Sequence, residues 1–241
     1  MSEQLIERVE LRFLGRPLAW LGWYLFMMVA NVLVIPSAWG AAAYYRWFFG
    51  NVSPSDGSTV SWYGRAEKVW YWFSILGILY WVMNLVSRMG DSADSWQPLT
   101  WLCLVFILAE LVSLAIWLVI ARWVFASTKV SSGSDLAFRG TYLPLLGWSV
   151  LLVISVLTII GWAWVTVGMV KWFYRNVEFG QNRLVFEGRG AQVLWRYIVA
   201  CLACVFIIPI PWITIWLIRW FVEQTVVERP AQEASGETSN E

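Results

Sequence analysis

Long apolar segments, separated by short polar ones, occupy most of this sequence. The first covers residues 17–49, and others cover residues 69–86, 98–121, 142–174 and 197–218. An α-helix rises about 1.5 Å per residue, so about 20 apolar residues cross a hydrocarbon core of roughly 30 Å. Segments of this length and number predict helices that lie in a lipid bilayer.

The composition agrees with this prediction and excludes several functions. Of the 241 residues, 59% are hydrophobic and 14% are charged, whereas a soluble domain carries about 25% charged residues. The 20 Trp residues favour helix ends at the membrane–water boundary. Without His and with a net charge of +1, the chain lacks the usual general base and a field that attracts nucleic acid. We therefore expect a non-enzymatic protein without catalytic residues, metal, cofactor or nucleic-acid partner.

Helix-breaking residues interrupt two of the long segments. Proline removes a backbone donor and disfavours helix in the residue before it. If residues 17–49 and 142–174 are hairpins that turn at Pro36 and Gly161, every Lys and Arg except Arg88 lies on the side of the N-terminus. Because basic residues favour the cytoplasmic side, we predict a multi-pass protein with both termini in the cytoplasm. The return legs are short, so the sequence leaves open whether they span the bilayer or re-enter it.

Two halves of the chain share a pattern at an offset of 125 residues. The matched pairs are Phe13 with Phe138, Gly22 with Gly147, Trp39 with Trp164, Trp47 with Trp172 and Asn51 with Asn176. Chance similarity is common between apolar segments, but chance agreement of Gly, Asn and Trp in one register is rare. We therefore predict two tandem repeats with the same orientation.

This repeat divides the chain into four parts. We predict a first membrane repeat over residues 1–126, a linker over residues 127–135 and a second, shorter repeat over residues 136–227. Residues 228–241 contain four Glu with Ser, Gly and Asn. Because such a segment cannot bury apolar surface, we expect it to be a disordered acidic tail.

Short strand-like pieces accompany the helices. Residues 11–15 and 136–140 begin the two repeats, and apolar residues alternate on both sides of Gly180-Gln-Asn182, a pattern typical of a β-hairpin. The predicted fold class is therefore an all-α integral membrane protein of two tandem helical-hairpin repeats, each with a small β-hairpin at the cytoplasmic face. A plain polar loop is the alternative to the hairpin.

The order of these motifs resembles a known family. The motifs are Phe13-Leu-Gly15, Ile35-Pro36-Ser-Ala-Trp39, Phe138-Arg-Gly140, Thr158-Ile-Ile-Gly161-Trp162-Ala-Trp164, Lys171-Trp-Phe-Tyr174 and Phe186-Glu-Gly188. In this order they resemble the YjgN-like family of bacterial inner-membrane proteins, whose function is unknown. The resemblance implies a location in the bacterial inner membrane and supplies no substrate, cofactor or catalytic residue.

One acidic residue stands in the middle of an apolar segment. Glu110 lies within residues 98–121, and a carboxylate in a bilayer is costly unless it is paired, protonated or exposed to water. It is a candidate proton- or cation-handling site, with Asn31 and Asn84 as polar partners. Alternatively, a protonated Glu110 hydrogen bonds to a neighbouring helix, and the two Asn hold helices together.

Basic residues at predicted helix ends form a second candidate group. They are Arg46, Arg122, Lys171 and Arg219 beside Trp, and Arg65 and Arg189 after Gly. We predict that they are anchors whose charged ends reach the membrane surface. The alternative is a rim that binds anionic lipid head groups.

These features predict a multi-pass inner-membrane protein, with the lipid bilayer as its main partner. A small-solute or ion transporter, or a channel, with a polar path near Glu110 is one candidate function. The alternative is a structural or assembly partner of other membrane proteins, of lipids or of a second copy of the chain. The surroundings of Glu110 distinguish the two, because a transporter requires a cavity that contains it.

Overall fold

The computed structural model describes residues 6–91, 96–131, 135–158, 160–206 and 208–230. Within these residues the chain forms eight α-helices and eight β-strands. The helices are α1 Pro17–Val32, α2 Ser37–Gly50, α3 Trp70–Asp91, α4 Trp96–Ala126, α5 Tyr142–Val156, α6 Trp162–Arg175, α7 Gly190–Cys204 and α8 Ile210–Glu223. The strands are β1 Ile6–Phe13, β2 Val52–Pro54, β3 Val60–Trp62, β4 Thr128–Val130, β5 Leu136–Phe138, β6 Val177–Phe179, β7 Arg183–Phe186 and β8 Thr225–Pro230.

These elements form four units, each with the order strand, helix, helix, strand. In every unit the two strands pair antiparallel: β1 with β2, β3 with β4, β5 with β6 and β7 with β8. The two helices of each unit pack together as a hairpin. Because the hairpin returns the chain to its starting point, the first and last strands of a unit meet.

The four units close into a ring. β1 pairs with β8, with Val9 opposite Val227, which produces a four-stranded sheet in the order β2-β1-β8-β7. An isolated bridge between Lys129 and Asp135 joins the second unit to the third. Each unit also packs its second helix on the first strand of the next unit, and α8 packs on α1 and β1. The first and last units are therefore neighbours.

The predicted all-α class is wrong. The described strands form one four-stranded and two two-stranded antiparallel sheets. The elements form four units where the sequence predicted two helical-hairpin repeats. Within the described residues, two helices are long and apolar enough to cross a membrane, Trp70–Arg88 and Cys103–Ala126, so a multi-pass all-α membrane protein does not describe this fold.

The predicted β-hairpin around Gly180 is also wrong. One antiparallel bridge joins Phe179 to Asn182, but the ladder of β6 is with β5 and that of β7 is with β8. Alternation of apolar residues indicates that a segment is a strand, but it does not indicate the partner. The partner is determined by the helical hairpin that separates the two strands of a unit.

The helix breaks predicted at Pro36 and Gly161 are confirmed. Pro36 precedes α2 and Gly161 precedes α6, and Pro209 precedes α8 in the same way. A proline at the start of a helix costs no hydrogen bond, because that N–H has no partner within the helix. The turn between α1 and α2 also contains Val34 with φ of 62°, a left-handed conformation that β-branched residues rarely adopt.

An aromatic residue, followed two positions later by glycine, ends the first strand of each unit. The pairs are Phe13 with Gly15, Trp62 with Gly64, Phe138 with Gly140 and Phe186 with Gly188. In every pair the ring lies so close to the glycine that a Cβ atom there would overlap the ring. The close approach therefore requires glycine, and the pair fixes the turn from strand to helix.

The predicted linker and tail overlap with strands. Residues 128–130 of the linker form β4, and residues 228–230 form the end of β8. Residues 132–134 of the linker and 231–241 of the predicted acidic tail lie outside the described residues.

Candidate functional site: an apolar cavity beneath the strands

An apolar cavity of about 340 Å³ lies between the strands and the ends of the second helices of the units. All eight strands contribute residues to its lining. β1 shows how the lining forms: Val9 and Leu11 face the cavity, while Arg8 and Glu10 next to them are exposed. Successive side chains of a strand point to opposite faces, so the strands present apolar residues inward and charged residues outward.

The outer face of the strands carries ion pairs. Arg8 Nη1 lies 3.3 Å from Glu187 Oε1, and Arg8 Nη2 lies 3.7 Å from Glu228 Oε1. Arg139 Nε lies 2.8 Å from Glu178 Oε2. All of these side chains except that of Glu228 are largely exposed, so each pair adds little to stability. Their importance is that they identify this face as one suited to water.

Aromatic side chains at the ends of the second helices line the cavity on the side away from the strands. They come from all four units: Phe48 of α2, Phe125 of α4, Phe173 of α6 and Phe221 of α8. The rings of Phe125 and Phe173 lie 5.5 Å apart between centroids. The cavity therefore has a hydrocarbon lining on both sides.

Arg229 is the one charged residue of the lining among the described residues. Its Nη1 lies 2.6 Å from Oδ2 of Asp56, and the two side chains are 19% and 16% exposed. Asp56 lies in the loop between β2 and β3, where its Oδ1 also accepts hydrogen bonds from the hydroxyl and the N–H of Ser58, at 2.7 and 2.9 Å. Burial raises the pKa of Asp56, but the bonds from Ser58 and the pairing with Arg229 outweigh it, so the pKa lies below its ordinary value.

One hydrogen-bond donor of Arg229 has no partner in the described part of the chain. Its Nε–H is buried and has no hydrogen-bond partner among the described residues. A buried donor without a partner costs about 1–3 kcal/mol, and such a group requires an explanation. The cavity thus combines an apolar body with one cationic residue in its lining.

A second apolar cavity, of about 400 Å³, lies between α6, α7 and α8. The two cavities share four lining residues, Phe48, Val170, Phe221 and Val222, and are therefore adjacent. The second cavity also reaches Tyr197 of α7. Apolar space extends in this way from the strands to the spaces between the helices.

The structure does not bring the three predicted intramembrane polar residues together. Glu110 is exposed on α4, Asn31 is exposed near the end of α1, and Asn84 is half-buried on α3. The Asn84 side chain donates to the carbonyl of Tyr80 at 2.9 Å. Within the described part of the chain, no hydrogen bond joins the three residues, and neither cavity contains one of them. The role of Glu110 in transport stays a prediction.

Two of the six predicted basic residues connect neighbouring units. Arg122 Nη2 donates to the carbonyl of Gly140 at 3.0 Å, and Arg219 Nη2 donates to the carbonyl of Gly15 at 3.1 Å. These bonds join the second unit to the third and the fourth to the first. Both glycines belong to the aromatic–glycine pairs, so the arginines support the same turns from strand to helix.

The other four basic residues lie at the same end of the helices. Arg46, Arg65 and Arg189 are exposed, and Lys171 is half-buried. The backbone N–H of Arg189 donates to Oε1 of Gln192 at 3.2 Å. None of the four lines a cavity described above, so their role as anchors or head-group ligands also stays a prediction.

Sequence reasoning missed the residues that stand out most in the structure. Arg229 fell within the predicted acidic tail, and its partner Asp56 is far from it in the chain. The alternation of Thr225, Val227 and Arg229 on one side of β8 was the available signal. Arg196 of α7 was also missed; its guanidinium lies 4.3 Å from the ring centre of Trp220.

Among the described residues, no group of three or more Cys, Asp or Glu is placed to hold a metal ion. Comparisons of the chain with protein-family models, with curated proteins and with solved structures find no match. The resemblance to the YjgN-like family therefore stays a prediction.

Proposed function

We propose that this chain is a multi-pass protein of the bacterial inner membrane, with its helices in lipid and its strands and both termini at the cytoplasmic face. Its proposed function is non-enzymatic: it acts in the membrane as a structural partner that binds lipid. The separation of apolar and charged surfaces between helices and strands carries this proposal.

The apolar helices have little protein around them. Only 6% and 17% of the most apolar stretches of Trp70–Arg88 and Cys103–Ala126 are buried, whereas a core helix of a soluble protein is mostly buried. The shorter helices expose large apolar side chains as well, including Val153 of α5 at 71%. Such wide apolar surfaces are typical of proteins that contact lipid.

The basic residues support the proposed orientation. Every Lys and Arg except Arg88 lies in a strand, in a loop next to the strands or within two helical turns of them. Arg88 lies near the far end of α3. Because basic residues favour the cytoplasmic side of a membrane, the strands belong on that side.

Helix length distinguishes one hairpin from the other three. α3 and α4 contain 22 and 31 residues, about 33 and 46 Å at the usual rise per residue, which is enough to cross the bilayer. The other helices contain 14 to 16 residues, about 21–24 Å, which is less than the roughly 30 Å required. We therefore propose that α3 and α4 span the membrane and that the other three hairpins re-enter.

The tips of the hairpins agree with this division. Leu157, after α5, is 84% exposed, and Ile208, before α8, is 81% exposed. A hairpin whose tip exposes apolar side chains is expected to end within the hydrocarbon core of the bilayer. The end of α3 and the sequence after it, in contrast, carry Asp91 and Asp94, which favours an end in water.

A lipid-binding role fits the cavity better than an ion path does. The lining is apolar apart from Arg229 and a few hydroxyl groups, whereas ion paths are lined by charged or carbonyl groups. Glu110 lies outside both cavities. The unused space therefore suits hydrocarbon.

The test combines membrane extraction with cysteine labelling from the two sides. The protein should remain in the membrane pellet at alkaline pH. In a variant without native Cys, Arg88→Cys should react with an impermeant maleimide from outside, and Glu187→Cys only after the membrane is opened. Leu157→Cys should react from neither side. Release at alkaline pH would refute the membrane location, and reaction of Leu157→Cys from outside would refute re-entry.

A further inference from the structure

We infer that the cavity beneath the strands binds one acyl chain, whose polar end lies at the guanidinium of Arg229. This inference rests on the proposed function, because the bilayer is the source of the chain. The shared chemistry is a linear hydrocarbon with a carboxyl or ester oxygen at one end. A free fatty acid and one chain of a phospholipid both have it.

The body of the cavity suits hydrocarbon. Its volume of about 340 Å³ lies in the lower part of the range for small-molecule sites, roughly 300–1,000 Å³. Apolar cavities stay free of water and accept apolar molecules. Side chains that face empty space lose the dispersion contacts that a close-packed interior provides, so a bound chain would restore them.

The hydroxyl groups of the lining are bonded within the protein, and that of Tyr174 lies 3.2 Å from Oγ1 of Thr225. The hydroxyl of Thr128 donates to the carbonyl of Val124 at 2.9 Å, and that of Thr225 donates to the carbonyl of Phe221 at 3.1 Å. The hydroxyl of Ser58 donates to Asp56. Nε–H of Arg229 remains without a partner among the described residues. A ligand that fits this lining is therefore apolar along its length and carries an acceptor at one end.

The neighbouring cavity provides a route from the bilayer. It lies between α6, α7 and α8, and shares Phe48 and Val170 with the first cavity. We expect a chain from the lipid beside these helices to enter through this adjacent apolar space. A polar solute would have to leave water on the same route without gaining hydrogen bonds.

Photochemical labelling of the full-length protein in lipid nanodiscs tests the inference. One arm uses palmitic acid with a diazirine in its chain, and the other uses a phosphatidylglycerol with the same diazirine-bearing chain. We expect labelled peptides from β3, β4 and β8, with saturation and with competition by unlabelled palmitic acid. Labelling in the first arm alone identifies free fatty acid as the source, and labelling in the second alone identifies phospholipid.

Two matched pairs of variants connect the label to the cavity. Val60→Trp fills the cavity from β3 and should reduce the label on the strands by about tenfold or more, whereas Ser61→Trp, which points to the other face, should not change it. Asp56→Asn with Arg229→Gln should weaken labelling by roughly tenfold, the value of one hydrogen bond to a charged donor. Arg8→Gln on the outer face should have no effect.

The single variant Asp56→Asn should increase photochemical labelling instead of weakening it. It removes the carboxylate that competes for the Arg229 guanidinium, so it should increase labelling by the fatty acid. The double variant avoids an unpaired buried charge, and circular dichroism of each variant shows that it is folded.

Label confined to the lipid-facing surfaces of the helices, without saturation and unchanged by Val60→Trp, would overturn the inference. Alkaline extraction of the same preparations separates this failure from that of the proposed function. If the protein stays in the membrane and the strands remain unlabelled, only the acyl-chain site is refuted.

Discussion

The strands and the helices of this protein arrange polarity in opposite ways. On β1, Arg8 and Glu10 are exposed and Val9 is buried, as in a protein that faces water. On α5, Val153 is exposed, while Ser155 is buried. The same chain therefore makes one surface suited to water and another suited to lipid, and the aromatic–glycine pairs mark the junction between them.

A charge placed on each of the two surfaces tests this contrast most severely. Val153→Arg introduces a cation into the proposed hydrocarbon region, where it costs about 3 kcal/mol or more. We expect a large loss of membrane insertion, measured as the fraction of protein that resists alkaline extraction. Glu10→Arg, on the outer face of β1, should change stability by no more than about 0.5 kcal/mol. If both variants reduced the fraction that resists alkaline extraction to the same extent, the two surfaces would not differ in this way.

The junction can be disturbed at a single glycine. Gly140→Ala forces a Cβ atom against the ring of Phe138, and overpacking of this kind costs about 1–3 kcal/mol. Gly147→Ala in α5 has open space around the new atom and should be neutral or stabilise by up to about 1 kcal/mol. Denaturant unfolding in detergent measures both. A stable Gly140→Ala variant would show that the close approach is not needed.

The arginine bond across the junction should have a smaller effect. Arg122→Met removes the hydrogen bond to the carbonyl of Gly140 and keeps much of the apolar length of the side chain. We expect a loss of about 1 kcal/mol in the free energy of unfolding, the typical contribution of a hydrogen bond. Arg46→Met, at the matching position of the first unit, is the control. If it destabilises as much as Arg122→Met, the bond to Gly140 has no special role.

The strand side should show one further effect, which depends on pH. The pKa of Asp56 lies below its ordinary value of 3.8, so its ionised form stabilises the folded state. That stabilisation is complete above pH 3.8 and is lost as the pH falls through the lower pKa of the folded protein. Asp56→Asn should remove this part of the acid dependence, measured by thermal unfolding between pH 2 and 6. An unchanged profile would show that neither the bonds from Ser58 nor the pairing with Arg229 stabilises the ionised form of Asp56.

The sequence predicted local features better than long-range ones. Pro36 and Gly161 indicated helix breaks, because proline and glycine act on the backbone next to them. Phe13 with Gly15, and Phe138 with Gly140, indicated the first strands of two units. These predictions depend on a few adjacent residues, and each is confirmed.

Strand partners and the cavity could not be predicted in the same way. β6 and β7 are close in sequence, yet each pairs across a helical hairpin. Arg229 follows Glu228 and precedes a polar segment, so nothing nearby indicates its pairing with Asp56. Such pairs depend on how the ring closes through β1 and β8, which is a property of the whole chain.

The depth of the two surfaces in a bilayer is the most direct test of the central claim. Nitroxide labels at Val153→Cys and Glu10→Cys, each in a variant without native Cys, report collisions with oxygen, which dissolves in lipid, and with a nickel chelate, which stays in water. We expect the label at position 153 to collide mainly with oxygen and the label at position 10 mainly with nickel. Strong collision of both labels with nickel would show that the helices do not lie in lipid.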